Sequence, residues 1–309
     1  ALRALREALA RAGLDAQPLG PRAGVVFGTC SGGMLSIERH YEALARGEDP
    51  IDEDLRFSKR YDTTAKVLAW AAGAGGPALT VVTACAAGAG AMAQGADLIR
   101  AGLAERVLAG GSDAFAPSTL VGFDALKATC AGRCAPFSQP VGLNLGEGAA
   151  FFVLERLDRA RERGAPILAE LLGSGLTNDA HHPTAPDPSA RGQVAAMRAA
   201  LADAGIEPAQ VEYINAHGTG TRANDPAESR AIARLFTERA RAVPVSSTKS
   251  MIGHCLGGAG ALEASAAVLA ARAGFLPPTA GYDGPREGCD LDCVPDVERP
   301  FAGRVALSN

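Results

Sequence analysis

Residues 78–88 read Ala78-Leu79-Thr80-Val81-Val82-Thr83-Ala84-Cys85-Ala86-Ala87-Gly88. The apolar, β-branched run up to Thr83 predicts a buried strand, and the Ala- and Gly-rich continuation to about Arg100 predicts a helix. Cys85 therefore stands at a strand-to-helix turn. A thiol there faces the dipole and free N–H groups of the helix start, which lower its pKa, and it is exposed at the carboxyl end of a sheet. A lone cysteine among alanines is more often a small buried residue than a nucleophile, so this stretch decides the fold class before it decides any chemistry.

Working outward, 24–28, 105–109 and 149–154 predict further strands, the last two separated by an irregular stretch with Gly132, Pro136, Pro140 and Gly142. An amphipathic helix opens the chain over 1–12, with Leu2, Leu5 and Leu9 at helical spacing opposite Arg3, Arg6, Glu7 and Arg11. The charged segment 156–164, ending in Gly164-Ala165-Pro166, reads as a link. Beyond it come a strand at 167–173, a Pro- and His-rich loop at 178–188 and a helix at 189–204. A strand at 211–215, a helix at 225–239, a strand at 243–247, a helix at 260–272 and a last strand at 304–307 complete the reading. These elements predict a mixed α/β layered fold in two rounds, 1–155 and 156–309, without a literal sequence repeat.

At 309 residues the chain can bury a large core. Its formal charge of -4, with arginines scattered among acids, argues against nucleic acid as a partner. An acidic carrier protein could still dock on a local Arg patch. Seven cysteines, several in apolar or Gly-rich segments, fit a reducing cytoplasm, and no signal peptide or long apolar span is visible. The 37 glycines and abundant alanines suit closely packed helix and sheet layers.

Two more segments carry candidate chemistry. Asn215-Ala216-His217-Gly218-Thr219-Gly220-Thr221 places a histidine at a strand end before a turn whose glycines admit close approach and whose hydroxyls can bond an amide-bearing arm. A structural histidine bonded to backbone is the competing reading. Lys249-Ser250-Met251-Ile252-Gly253-His254 adds a second histidine in a segment too mixed to be a helix face, followed by an Ala-rich helix carrying Glu263. A buried Lys249 near Glu263 would keep its charge and orient its neighbours; a solvated loop lysine is the alternative. Together a cysteine and two imidazoles can hold an acyl group as a thioester and hydrogen-bond a second carbonyl.

In this order the three segments resemble the elongating β-ketoacyl-acyl carrier protein synthases and related ketosynthase domains of polyketide assembly, in the thiolase superfamily. Further matching stretches are Gly28-Thr29-Cys30-Ser31-Gly32-Gly33, Ala109-Gly110-Gly111-Ser112-Asp113, Leu145-Gly146-Glu147-Gly148-Ala149-Ala150 and Ala306-Leu307-Ser308-Asn309. The resemblance implies a thiolase fold of two similar halves in αβαβα layers, usually a homodimer or a heterodimer with a related subunit. It makes Cys85 the acyl acceptor, while His217 and His254 promote decarboxylation of the malonyl thioester and stabilise the enolate. Lys249 and Glu263 become supporting residues, and Thr219 and Thr221 contacts for the phosphopantetheine arm. The implied partner is an acyl carrier protein bearing acyl and malonyl groups, with no metal or organic cofactor.

The resemblance also implies that family elements before Ala1, and a Phe/Gly-rich turn after Asn309 that supplies an oxyanion-hole N–H, lie outside this chain. Weak turnover is the corresponding expectation. The stretch Pro136-Phe137-Ser138-Gln139-Pro140-Val141-Gly142-Leu143-Asn144 carries fewer charges than many relatives, and a small polar Ser31 hints at an unusual or extended acyl chain. A non-catalytic partner that sets chain length is the alternative from another class, and the retained Cys85 argues against it. A thiolase would call for a second cysteine as base near the C-terminus. Zinc grouping of Cys130 and Cys134, Cys289 and Cys293, and His181-His182 is disfavoured by their three-residue spacers.

Overall fold

Strand β1, Ala23–Gly28, is buried at every position, as a central strand covered on both faces must be. This computed structural model describes residues 1–48 and 60–309. The described residues divide into two units, Ala1–Val121 with Gly146–Glu170 and Cys255–Leu262, and Gly122–Leu145 with Leu171–His254 and Glu263–Asn309.

In the first unit, β1 pairs in parallel with β2 (Ala78–Val81) and with β3 (Arg106–Asp113), and β3 pairs antiparallel with β4 (Gly148–Glu155). The sheet order is β2-β1-β3-β4. Alternation along the strands sorts the core. Val25 and Phe27 join Leu108 and Phe151 in one cluster with Leu5 and Leu9 of α1 (Leu2–Arg11). After α2 (Met34–Ala45), α3 (Tyr61–Ala72) adds Ala65, Leu68 and Ala69 to the same cluster. Val26, Val107 and Ala109 instead meet Ala91 and Leu98 of α4 (Ala87–Arg100). Helices thus cover both faces of the sheet. The helix α4 reaches it through glycine: a Cβ on Gly28 would stand 2.3 Å from Ala87 O. Helices α5 (Pro117–Ala125) and α6 (Leu157–Glu162) flank β4 in sequence.

In the second unit, β5 (Tyr213–Asn215), β6 (Pro244–Ser246), β8 (Asp292–Cys293) and β10 (Ala306–Ser308) form an all-parallel sheet in the order β10-β5-β6-β8. Strands β7 (Phe275–Leu276) and β9 (Arg299–Pro300) make a separate antiparallel pair. Val194, Met197 and Leu201 of α7 (Arg191–Ala204) pack with Ile232, Leu235 and Phe236 of α8 (Asn224–Phe236) onto Ile214 and Val245. A one-turn helix, α9 (Lys249–Ile252), and α10 (Ala259–Ala273) follow β6.

The expected α/β layering is present, and most expected strands and helices match within a few residues. Three differences have physical causes. Residues 167–173 form no strand, and Ile167, Leu168, Leu171 and Leu172 are exposed; an apolar run is a strand only where its backbone has a ladder to join. The Ala65, Leu68, Ala69 and Ala72 stripe of α3 has helical spacing, but small side chains muted it. Lys249–Ile252 does wind one turn, stopped by Gly253 at φ +75°.

Candidate active site

Cys85 lies in the first unit on a single 3-10 turn, Ala84–Ala86, between β2 and α4. Ala84 takes φ +50°, a left-handed conformation costly for alanine, and this strained strand-to-helix turn resembles a nucleophile elbow. The thiol is half-buried. A second turn of the same kind, Leu256–Gly258, starts from Leu256 at φ +51° and leads into α10. The two helix starts touch through glycine: a Cβ on Gly88 would fall 2.8 Å from Gly257 O and 2.9 Å from Ala261 N.

Buried Asp113 ties this region together. Its carboxylate accepts from the Thr29 hydroxyl at 2.6 Å, from Cys30 N–H at 2.7 Å, from the Ser31 hydroxyl at 2.7 Å and from Gly257 N–H at 2.7 Å. Ser31, whose small polar side chain hinted at an unusual or extended acyl chain, is thus engaged with Asp113.

The second unit brings together His217, His254, Lys249 and Glu263. The His217 and His254 rings stand edge to face, centroids 5.4 Å apart. The Lys249 side chain is 2% exposed and ion-paired with the buried Glu263 carboxylate. Its Nζ also lies 3.3 Å from His217 Nδ1. An ammonium only donates, so Nδ1 accepts and the neutral ring carries its hydrogen on Nε2. Burial, then the Lys249 charge and His254, hold the His217 pKa well below the ordinary histidine range. Burial and then Lys249 do the same to His254. Burial pushes Glu263 upward, and its partner Lys249 opposes that shift.

Backbone bonds aim the two imidazoles. The N–H groups of His217 and Gly218 each donate to buried Glu228 at 2.7 Å, so one carboxylate grips the turn. Gly218 O accepts from the Ser247 hydroxyl at 2.6 Å. His254 N–H donates to Asn144 O at 2.8 Å. Asn144 is fixed in turn, its side chain accepting from Cys134 N–H at 2.7 Å and donating to Gly132 O at 2.9 Å. The Thr219 and Thr221 hydroxyls sit on the His217 turn, 2.9 Å apart.

Asp113 and Asn144 stand in stretches singled out in the sequence and Asp225 at an expected helix start, but the sequence assigns a role to none of them, nor to Glu228. In the sequence, acids at 225 and 228 read as ordinary acids in the first turns of a helix; the structure shows both at 0% exposed, where charged side chains are seldom found without partners.

Family models settle the ancestry. The N-terminal domain of β-ketoacyl synthase matches residues 1–160 and its C-terminal domain matches 168–283. The chain belongs to the β-ketoacyl synthase family. Nodulation protein E of Rhizobium sp. (strain N33) is 44% identical over 316 residues, spanning 100% of this chain and 77% of that protein. The tetracenomycin polyketide synthase ketoacyl synthase alpha subunit of Streptomyces glaucescens is 42% identical, over 98% of this chain and 75% of that one. The 3-oxoacyl-[acyl-carrier-protein] synthase 2 of Coxiella burnetii is 40% identical, over 100% and 77%. Among solved structures, the ishigamide ketosynthase/chain length factor superposes with a TM-score of 0.93 at 37% identity, covering 100% of this chain and 77% of that one. A type II polyketide acyl-carrier protein complex with its hexaketide-bound ketosynthase, AntDE:AntF, gives 0.92 at 32% identity, over 99% and 80%. The fold is thiolase-like, and the family is one of condensing acyltransferases.

Proposed function

We propose that this β-ketoacyl synthase chain extends an acyl chain by decarboxylative Claisen condensation, with Cys85 as acyl acceptor and His217 and His254 as hydrogen-bond donors to the malonyl thioester. The Cys85 thiolate attacks an acyl thioester carbonyl and the phosphopantetheine thiol leaves. The malonyl C–C bond to its carboxylate then breaks, carbon dioxide departs, and the electron pair passes into an enolate. The enolate oxygen is stabilised by imidazole N–H groups. Its carbon attacks the acyl-Cys85 carbonyl, and the Cys85 thiolate leaves as the β-ketoacyl thioester forms.

The observation that carries this reading is the state of the imidazoles. Both are held neutral by burial beside a cation, and His217 presents Nε2–H. A neutral imidazole donates to a developing oxyanion without surrendering its proton, which suits enolate stabilisation better than acid catalysis. Lys249, ion-paired with Glu263, enforces that state, and Thr219 and Thr221 offer hydroxyls to the phosphopantetheine arm.

The proposed partner is an acyl carrier protein delivering acyl and malonyl groups, in a homodimer or a heterodimer with a related subunit; a carrier-bound and a chain-length-factor-containing relative support this. A halving at 1–155 and 156–309 is part of the proposal, supported by one sheet drawn from 23–155 and another from 213–308. So is a cytoplasmic location, supported by seven cysteines none of which is joined in a disulfide; among the described residues no helix is long and apolar enough to cross a membrane. A role only in setting chain length would leave Cys85 and the Lys249–His217 contact without a task.

Carbon dioxide release from malonyl-pantetheine tests the reading. His217→Ala and His254→Ala are each expected to slow release about a hundredfold or more, the usual cost of an oxyanion donor, while Cys85→Ala still supports it. Equal release by wild type and both histidine variants would overturn it.

A further inference from the structure

Arg286 lies far in sequence from the His217 turn, yet its side chain is only 6% exposed and buried against that turn. Its guanidinium donates to Gly220 O at 2.9 Å and also to Thr221 O. It pairs with Asp225, which is 0% exposed, at 3.0 Å. The other Asp225 oxygen accepts from Gly220 N–H at 3.1 Å. Phe137 closes the frame: its N–H donates to Asp225 at 2.7 Å, and its carbonyl accepts from Arg286 N–H at 3.0 Å.

These bonds fall on three successive peptides. Gly220 N belongs to the peptide joining Thr219 to Gly220. Gly220 O and Thr221 O belong to the two peptides on either side of the Thr221 Cα. With those planes fixed the direction of the Thr221 side chain is fixed, and that of Thr219 is fixed as well because the Gly218–Thr219 peptide before it is held by the Ser247 hydroxyl on Gly218 O. A planar fork that bridges two neighbouring carbonyls and a carboxylate is arginine geometry. A lysine, one point charge on a flexible stem, cannot span all three.

We propose that Arg286 is a positioning residue for the thioester arm: by clamping the peptides around Thr221 it holds the Thr219 and Thr221 hydroxyls where an arm amide meets them. This rests on the reading that those hydroxyls contact phosphopantetheine. Arg286 itself touches no substrate and takes no part in bond making. Its contribution lies in substrate capture, and it counts only for substrates that carry the arm.

The test compares two acyl donors with the same acyl group, a pantetheine thioester and an ethyl thioester, which lacks the arm. The rate of Cys85 acylation is read by intact-protein mass, and the arm preference is the ratio of kcat/KM for the two donors. Arg286→Lys and Arg286→Gln are expected to lower that ratio about tenfold, chiefly through KM for the pantetheine donor, with the ethyl donor within about twofold of wild type. A merely structural role would lower both donors together and leave the ratio unchanged, which would overturn the proposal. Because Arg286→Gln leaves a buried Asp225 charge unpaired, Arg286→Gln with Asp225→Asn carries the same test without that charge. It too is expected to lose the arm preference, and a wild-type ratio in the folded double variant would overturn the proposal. A wild-type chain with no preference for the pantetheine donor would instead overturn the reading of Thr219 and Thr221, and the inference with it.

Discussion

Lys249 Nζ lies 3.3 Å from His217 Nδ1, so a buried cation sits against the ring nitrogen that must be unprotonated. The contact selects the Nε2–H tautomer and discourages the imidazolium at the same time. Nitrogen-15 NMR of labelled protein is expected to show His217 neutral with hydrogen on Nε2 at pH 7. In Lys249→Met the Nδ1–H tautomer should become appreciable, and carbon dioxide release should fall at least tenfold, in the range of a positioned hydrogen-bond donor.

The depressed histidine pKa values bear on stability as well. A histidine held below its ordinary value binds its proton more readily unfolded than folded, so its stabilising contribution is complete above about pH 6.5 and is lost as pH falls below that. The slope is about 1.4 kcal/mol per pH unit for each group while only the unfolded state is protonated. In chemical denaturation from pH 7.5 to 5.5, wild type is expected to lose stability faster than His254→Asn. Parallel profiles would contradict the assignment.

Asp225 acts in the opposite sense. Burial pushes it up to about 6 despite the Arg286 charge, so its folded form binds a proton more tightly than the unfolded chain does. Its contribution is complete below the ordinary carboxylate value and is lost as pH rises through about 6. Asp225→Asn should therefore gain stability relative to wild type as pH rises from 4 to 7, measured by the same denaturation series.

The ion pair between Lys249 and Glu263 is buried on both sides. Glu263→Ala strands the lysine charge and is expected to cost about 3–5 kcal/mol, whereas Lys249→Met with Glu263→Met should cost much less. A double-mutant cycle by urea denaturation separates the two.

Gly88→Ala places a Cβ 2.8 Å from Gly257 O and 2.9 Å from Ala261 N, both backbone atoms. The two helix starts would have to part, at a cost of about 1–3 kcal/mol. A fall in thermal midpoint for Gly88→Ala, absent for Gly122→Ala, where no atom lies within 4 Å, checks the packing argument.

The strands around Val25 and Leu108 and the Cys85 turn were legible because buried strands and a strand-to-helix switch have local signatures in residue type and period. His217 and Lys249 were legible as segments, but their contact was not, since it joins groups far apart in sequence. Glu228 and Arg286 looked like ordinary helix and loop charges. Only tertiary structure shows that each is buried against the backbone of one turn. The run at 167–173 misled for the converse reason, because its composition suits a strand and only a neighbour could make it one.

The most direct test of the central claim is the intact mass of the purified chain after exposure to an acyl-pantetheine thioester, beside Cys85→Ala. The account expects one acyl adduct on wild type, cleared with release of a β-ketoacyl product on adding malonyl-pantetheine, and none on the variant. An adduct that persists in folded Cys85→Ala, or a folded wild type that acquires none, would contradict it.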